Sequence, residues 1–231
     1  MTREDEQAFL IEGPTLVAEA VRANWPLEAI YVEEGASVEG LPAGTPVARG
    51  VLERVATTVT PRPVLAVARR QVAPLGALRD ASFVVVLAAL ADPGNLGTIV
   101  RSAEAAGVDG VVVAGGVDPF NPKSVRASAG SIFFVPLALV DDGTAALEDL
   151  GSWGMRRIGT RADADRPYDE IDMRGAVALV LGSESHGIDD DVAARVDEMV
   201  SIPMAGRAES LNVAAAAAVL CFEVARQRRG L

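Results

Sequence analysis

The chain has 231 residues, 50% of them apolar, 4% aromatic and 23% charged, and its 21 basic and 32 acidic side chains leave a net charge of −11. That apolar content excludes a disordered chain and suits one large or two small globular domains. The acidic balance repels phosphate at long range, so any nucleic-acid contact has to come from a local groove rather than from bulk charge.

A single cysteine, Cys221, excludes an internal disulfide and a Cys-cluster metal site, and a single histidine, His186, excludes a two-His metal motif. A Ser-His-Asp triad would depend on that one histidine, two residues from Glu184. No metal is expected. The longest apolar stretches, 83–91, 132–140 and 211–222, fall short of the roughly 20 residues a membrane helix needs. The acidic start at residues 2–6 is the opposite of a secretion signal, so the expectation is a cytoplasmic protein.

In chain order, Pro14 suits the first position of a helix carrying Leu16, Val17, Ala20 and Val21 on one face. Short strands are expected at 27–32 and 64–68, a Gly/Pro-rich loop at 35–46 and a helix at 52–57. Pro74 and Gly76 break the pattern near 71–80, which reads as a seam between domains. The expected boundaries are a small α/β domain over 1–75, a linker over 76–81 and a larger domain over 82–231. Neither side is basic: residues 1–75 carry 7 basic and 10 acidic side chains, residues 76–231 carry 14 and 22.

Beyond the seam, apolar runs at 82–89, 111–114, 156–160, 177–181 and 199–202 predict strands. Helical patterns at 97–106, 123–128, 144–150, 190–196 and 212–227 alternate with them. Nearly all-apolar strands separated by helices imply a parallel sheet covered on both faces. Ligands of such sheets bind beyond the carboxyl ends of the strands, which singles out the loops 90–96, 115–122, 182–188 and 203–211. These loops are also rich in Gly, Pro, Asn and Ser.

The common nucleotide fingerprints are missing. No G-x-G-x-x-G comes after a strand, and in Gly182-Ser-Glu-Ser-His-Gly187 the positions a P-loop gives to Lys and Ser/Thr hold Ile188 and Asp189. The two glycines instead offer bare backbone to a neutral or cationic ligand at close range.

Three segments stand out together. Asp92-Pro-Gly-Asn-Leu-Gly-Thr-Ile-Val-Arg101 places a turn at Pro93-Gly94, a capping residue at Asn95 and Arg101 about 120° further round the helix. The second is Leu181-Gly-Ser-Glu-Ser-His-Gly-Ile188. The third is Ile202-Pro-Met-Ala-Gly-Arg-Ala-Glu-Ser-Leu-Asn-Val213, which leads into an alanine run. Singly, Asn95 reads as a helix cap, Arg101 as a solvated helix charge, Glu184 as a loop carboxylate and Cys221 as a small core residue; Asp189–Asp191 read as an acidic helix start.

The trio resembles the SpoU (TrmH-type) RNA methyltransferases of the SPOUT superfamily. Their patterns N-x-G-x-x-x-R, G-x-E-x-x-G and I-P-M-x-G-x-x-x-S-L-N-V match in the same order over about residues 82–228. The segment Phe9-Leu-Ile-Glu-Gly-Pro14 similarly resembles the start of the family's N-terminal substrate-binding domain. The resemblance implies an α/β fold in which a small α/β RNA-binding domain precedes a parallel-sheet methyltransferase domain with a C-terminal trefoil knot. It also implies a homodimer, S-adenosylmethionine as methyl donor, and methyl transfer to a ribose 2′-hydroxyl of ribosomal (23S) RNA. Residues of both subunits would build the active site.

On that resemblance the catalytic group comprises Arg101, Asn95, Glu184, Ser210 and Asn212. Arg101 would stabilise the developing alkoxide and grip a phosphate, and Asn95 would orient it. Glu184 would serve as base or positioning group, with Ser210 and Asn212 as hydrogen-bonding residues. Cofactor contacts fall to Leu181, Gly182, Gly187, Ile202, Met204 and Leu211. RNA contacts are expected from Arg62, Arg69, Arg70, Lys123, Arg126 and Arg207, and a further basic patch at Arg156, Arg157 and Arg161. The competing readings are a transfer-RNA ribose methyltransferase, a catalytically silent knotted RNA-binding module, and a small-molecule-binding α/β protein.

Overall fold

The computed structural model describes residues 7–36, 38–57 and 62–229. The acidic start at 2–6 and Ser37 of the expected 35–46 loop lie outside them. Among the described residues ten strands form two sheets. The first holds β1 (Ala8–Glu12), β2 (Leu27–Glu33), β3 (Thr45–Val47) and β4 (Val64–Arg69) in the order β1-β4-β2-β3. In it β4 runs antiparallel to both β1 and β2, and β3 pairs parallel with β2.

The second sheet holds β5 (Phe83–Ala88), β6 (Gly110–Ala114), β7 (Leu137–Val140), β8 (Arg156–Thr160), β9 (Val177–Leu181) and β10 (Glu198–Val200). Its order is β10-β8-β9-β5-β6-β7 and every pairing is parallel. The chain steps outward from β5 through β6 to β7, then crosses to the other side of β5 for the remaining strands. The direction of winding therefore reverses beside β5 and β9, where the ends of an open parallel sheet leave a crevice.

Alternation along the strands divides the core. Phe83, Val85 and Leu87 of β5 with Leu179 and Leu181 of β9 face one apolar cluster, whereas Val84, Val86, Ala178 and Val180 face a second. Both faces are dry, which is why these strands read as unbroken apolar runs. The first face is covered by α2 (Pro93–Ala105) and α6 (Val213–Arg228), which pack on each other, and the second by α4 (Gly143–Ser152) and α5 (Asp190–Ala193). The remaining helices are α1 (Pro14–Arg22), beside the first sheet, and α3 (Pro122–Ala127), beside α2.

The first cluster continues into the N-terminal sheet. Phe9 lies 4.9 Å from Phe120, ring centre to ring centre, and Trp25 lies 5.4 Å from Phe133. The segment expected as a linker is packed as well: Ala73 N–H donates to Leu137 O, residues Leu75–Leu78 form a 3-10 turn, and Leu78 is buried in the second cluster.

Several sequence expectations need correction. Strand β3 occupies the end of the expected 35–46 loop, and the expected helix at 52–57 is only a 3-10 turn at Leu52–Arg54. Helix α2 begins at Pro93 rather than residue 97. Its cap is Asp92, whose carboxylate accepts from Asn95 N–H, so Pro93-Gly94 is the first turn of the helix and Asn95 lies inside it. Asn212 is the cap of α6 rather than its first residue, and α5 ends at Ala193 before the chain turns into β10. Among the described residues no helix is long and apolar enough to cross a membrane.

Candidate active site at the strand ends

Three loops meet at the carboxyl ends of β5, β9 and β10. The loop after β9 is closed by a bridge in which Ser183 and Gly187 exchange backbone hydrogen bonds of 2.9 Å. A Cβ on Gly182 would lie 2.1 Å from the carbonyl carbon and oxygen of Gly187, and Gly187 itself has φ +68°. The spacing of the two glycines is therefore a backbone-on-backbone contact, which no larger residue permits at Gly182.

Inside this loop Glu184 points at the start of α2. Its carboxylate accepts from Ala91 N–H at 3.1 Å, Asp92 N–H at 3.2 Å and Asn95 Nδ2 at 2.8 Å. Asn95 Oδ1 in turn accepts from Asn212 Nδ2 at 3.1 Å, and Asn212 Oδ1 caps α6 through Ala214 N–H at 2.9 Å. One hydrogen-bond chain thus stitches the three loops together. Partial burial pushes the Glu184 carboxyl up, but the hydrogen bonds from Asn95 and the backbone outweigh it and hold the group below the ordinary carboxylate range. The carboxylate is thereby tied to the start of α2. Asp92 is also held low, chiefly by its bond to Lys123 Nζ at 2.5 Å.

Beside the chain of hydrogen bonds opens a cavity of about 580 Å³. It is lined by Gly182, Glu184, Gly187, Ile202, Met204, Ser210, Leu211 and Asn212, all of them motif residues, and also by Arg161, Asp163, Val200 and Glu209. Residues 160–163 escape the motif reading although they sit at the carboxyl end of a predicted strand, the position where ligands of such sheets gather. Leu181 is the buried last residue of β9, immediately before Gly182. Asn95 reaches the lining only through its hydrogen bonds. Arg101, six residues along α2, is exposed, lies outside the lining, and has no hydrogen bond or ion pair among the described residues. Gly97 lets α2 and α3 touch: a Cβ there would meet Ser124 O at 2.2 Å.

Residues 82–222 match the SpoU rRNA Methylase family and residues 1–66 the MRM3-like substrate binding domain. The chain belongs to the SpoU rRNA methylase family. It is 34% identical over 227 residues, 96% of this chain and 90% of the relative, to the 23S rRNA (guanosine(2553)-2'-O)-methyltransferase RlmP of Bacillus subtilis (strain 168). Among solved structures it resembles the SpoU methyltransferase AviRb from Streptomyces viridochromogenes in complex with AdoMet, with a TM-score of 0.89 and 28% identity, covering 98% of this chain and 92% of that one. The AdoMet-bound rRNA methyltransferase from Sinorhizobium meliloti gives a TM-score of 0.82 and 30% identity, covering 97% and 89%.

The basic residues of this SpoU protein divide sharply. Arg62 and Arg207 are exposed and without hydrogen-bond or ion-pair partners among the described residues. Arg69 pairs with Glu28 at 2.7 Å and stays open to solvent. Arg70 is largely covered, bound to Asp118 at 2.9 Å and lying over the Phe120 ring. Lys123 is paired with Asp92, and Arg126 donates to Thr57 Oγ1 at 2.6 Å with Glu12 3.5 Å away. The patch expected at Arg156, Arg157 and Arg161 is neutralised by Glu198, Asp197 and Asp163 respectively. Cys221 is buried in α6, its thiol pushed up to about 12 by desolvation. Among the described residues no group of three or more His, Cys, Asp or Glu side chains is arranged to hold a metal.

Proposed function

We propose that this SpoU protein transfers a methyl group from S-adenosylmethionine to a ribose 2′-hydroxyl of ribosomal RNA, with the 23S RNA as its target. The observation that carries the reading is the Glu184–Asn95–Asn212 chain, which brings the three motifs to the rim of one cavity. In the proposed organisation residues 1–75 bind RNA, 76–81 connect, and 82–231 form the methyltransferase domain, knotted at its C-terminal end. The protein works in the cytoplasm as a homodimer.

The cavity fits the methyl donor. Its volume lies in the range of small-ligand sites, Gly182 and Gly187 present bare backbone, and Val200, Ile202 and Leu211 supply apolar wall for an adenine ring. Backbone groups around Leu181, Gly182, Ile202 and Leu211 would hold the nucleoside, with Met204 along the wall. When bound, the donor supplies an already activated methyl on a sulfonium, so no metal is called for.

Within the chain, Glu184 positions rather than abstracts: it holds Asn95, which holds Asn212, and so fixes Ser210 and Leu211 at the rim. Arg101 stabilises negative charge developing on the ribose oxygen and grips a neighbouring phosphate, a task its unpaired guanidinium suits and a proton-accepting role does not. Arg101 lies outside the cavity lining of its own chain, which supports an active site that takes it from the second subunit. Of the cations expected on RNA, Arg62 and Arg207 are the ones left unpaired among the described residues.

The test pairs calorimetric titration with S-adenosylmethionine and mapping of ribose methylation on total RNA with and without the protein. Binding of the donor and a mark on 23S RNA are expected, and Arg101→Ala should keep the first and lose the second. A protein that binds the donor and marks transfer RNA would refute the target; one that binds no donor would refute the activity.

A further inference from the structure

We infer that Glu209 sets the charge preference of the donor cavity, favouring S-adenosylmethionine over its demethylated product. The inference rests on the proposed cofactor and assigns a role to a residue that none of the three motif patterns fixes.

Among the described residues four charged ones line the cavity: Arg161, Asp163, Glu184 and Glu209. The first two cancel, since Arg161 Nε donates to Asp163 Oδ1 at 2.6 Å. Glu184 lines the cavity too, but its carboxylate is held by the N–H groups of Ala91, Asp92 and Asn95. Glu209 is different. It has no hydrogen bond or ion pair among the described residues, and it precedes the rim residues Ser210, Leu211 and Asn212 directly. Arg207, two positions earlier, is not part of the lining and makes no ion pair with Glu209.

The chemistry gives such a carboxylate something to read. Methyl transfer forms the C–O bond of the methyl ether, breaks the C–S bond and turns a sulfonium into a neutral thioether, while the hydroxyl proton leaves to solvent. The amino-acid end stays zwitterionic throughout, so the ligand's net charge falls from +1 to zero. An uncompensated wall carboxylate attracts the donor more than the product, which helps the spent ligand leave. Acting through a partly solvated cavity, one such charge is worth about three- to tenfold in relative affinity, and salt weakens it.

The experiment is calorimetric titration of the full-length protein and its Glu209→Gln and Glu209→Asp variants. The ligands are S-adenosylmethionine, S-adenosylhomocysteine and sinefungin, the last carrying an amine in place of the S-methyl group. Glu209→Gln should weaken the two cationic ligands about three- to tenfold and the neutral one by less than about twofold. Glu209→Asp should restore the native ratio, and raised salt should narrow the ratio more in the native protein and the Asp variant than in the Gln variant. Equal loss for charged and neutral ligands, or no loss for either, would overturn the inference. Failure of the native protein to bind any of the three would instead overturn the cofactor reading on which it rests.

Discussion

Replacing Glu184 by Gln removes the charge from the fastener while keeping its shape, and the hydrogen-bond geometry sets the cost. Oε1 accepts from both Asp92 N–H and Asn95 Nδ2, and Oε2 accepts from Ala91 N–H. An amide has one acceptor oxygen, so whichever way the substituted side chain turns, its NH₂ group confronts at least one N–H donor. Losing one charge-assisted bond and weakening two others costs about 1–2 kcal/mol, toward the lower figure because water reaches this exposed loop. For a chain of this size that lowers the melting temperature by about 2–8 °C. The amides of Ala91 and Asp92 should lose protection from hydrogen exchange, and donor binding should weaken as Asn95 and Asn212 loosen. The pH dependence separates this from a general loss of stability. The Glu184 carboxyl titrates lower in the folded protein than its ordinary value. Its contribution is therefore complete above the ordinary carboxylate range and is lost as pH falls through the folded value. The difference in melting temperature between native protein and Glu184→Gln should be full at neutral pH and shrink in acid. A variant with unchanged exchange at Ala91 and Asp92, or a difference that grows in acid, would refute the positioning role.

Gly182→Ala should destabilise the protein by about 1–3 kcal/mol and abolish donor binding, because the new methyl would occupy the Gly187 carbonyl; Gly175→Ala, with nothing within 4 Å, is the control and should be silent in the same melts and titrations. Asn212→Ala removes both the α6 cap and the link to Asn95, and should cost about 0.5–2 kcal/mol in denaturant unfolding. In methyl-transfer assays its loss should greatly exceed that of Asp142→Ala, which uncaps α4 away from the site. Gly97→Ala should separate α2 from α3 and lower the melting temperature without touching any residue of the cavity lining.

The central strands of the large sheet are legible in the sequence because burial on both faces demands continuous apolar runs. The three strands that escape, β1, β3 and β7, all lie at sheet edges, where pairing on one side relaxes the pattern. Thr45-Pro46-Val47 shows the reason most clearly: an interior strand would exclude Pro46, but an edge accommodates it. Strand β7 is hidden in the apolar run 132–140, whose first part belongs to a 3-10 turn at Ser131–Phe133. In the site, the residue types are readable but their partnerships are not. Glu184 and Asn95 are 89 positions apart and Asn95 and Asn212 are 117 apart, and no local periodicity relates them. Asn95 has the chemistry of a cap, but the preceding Asp92 and Pro93 take that role, which frees both ends of its amide to bridge the loops.

The ion pairs also bear on how an acidic chain meets RNA. Each phosphate neutralised by a protein cation releases condensed salt from the RNA and contributes about −0.7 to the slope of log affinity against log salt for single strands. Among the described residues Arg62, Arg101 and Arg207 are uncommitted, whereas Arg69, Arg70, Lys123 and Arg126 already face Glu28, Asp118, Asp92 and Glu12. A neutralised pair releases no salt ion when it docks unchanged. Binding of a single-stranded ribosomal RNA fragment should therefore show a slope of about −2, against about −5 if all seven cations took part. Within that small slope, Arg62→Ala should remove about one contact's worth. Arg70→Ala should leave the slope alone and instead lower stability, since its guanidinium joins Asp118 to the Phe120 ring beneath Phe9. A slope near −5 in the native protein would mean that the Glu28, Asp118, Asp92 and Glu12 pairs all open on docking. The acidic partners would then be exchanged for phosphate, and the surface seen in the free protein would not be the one that RNA reads.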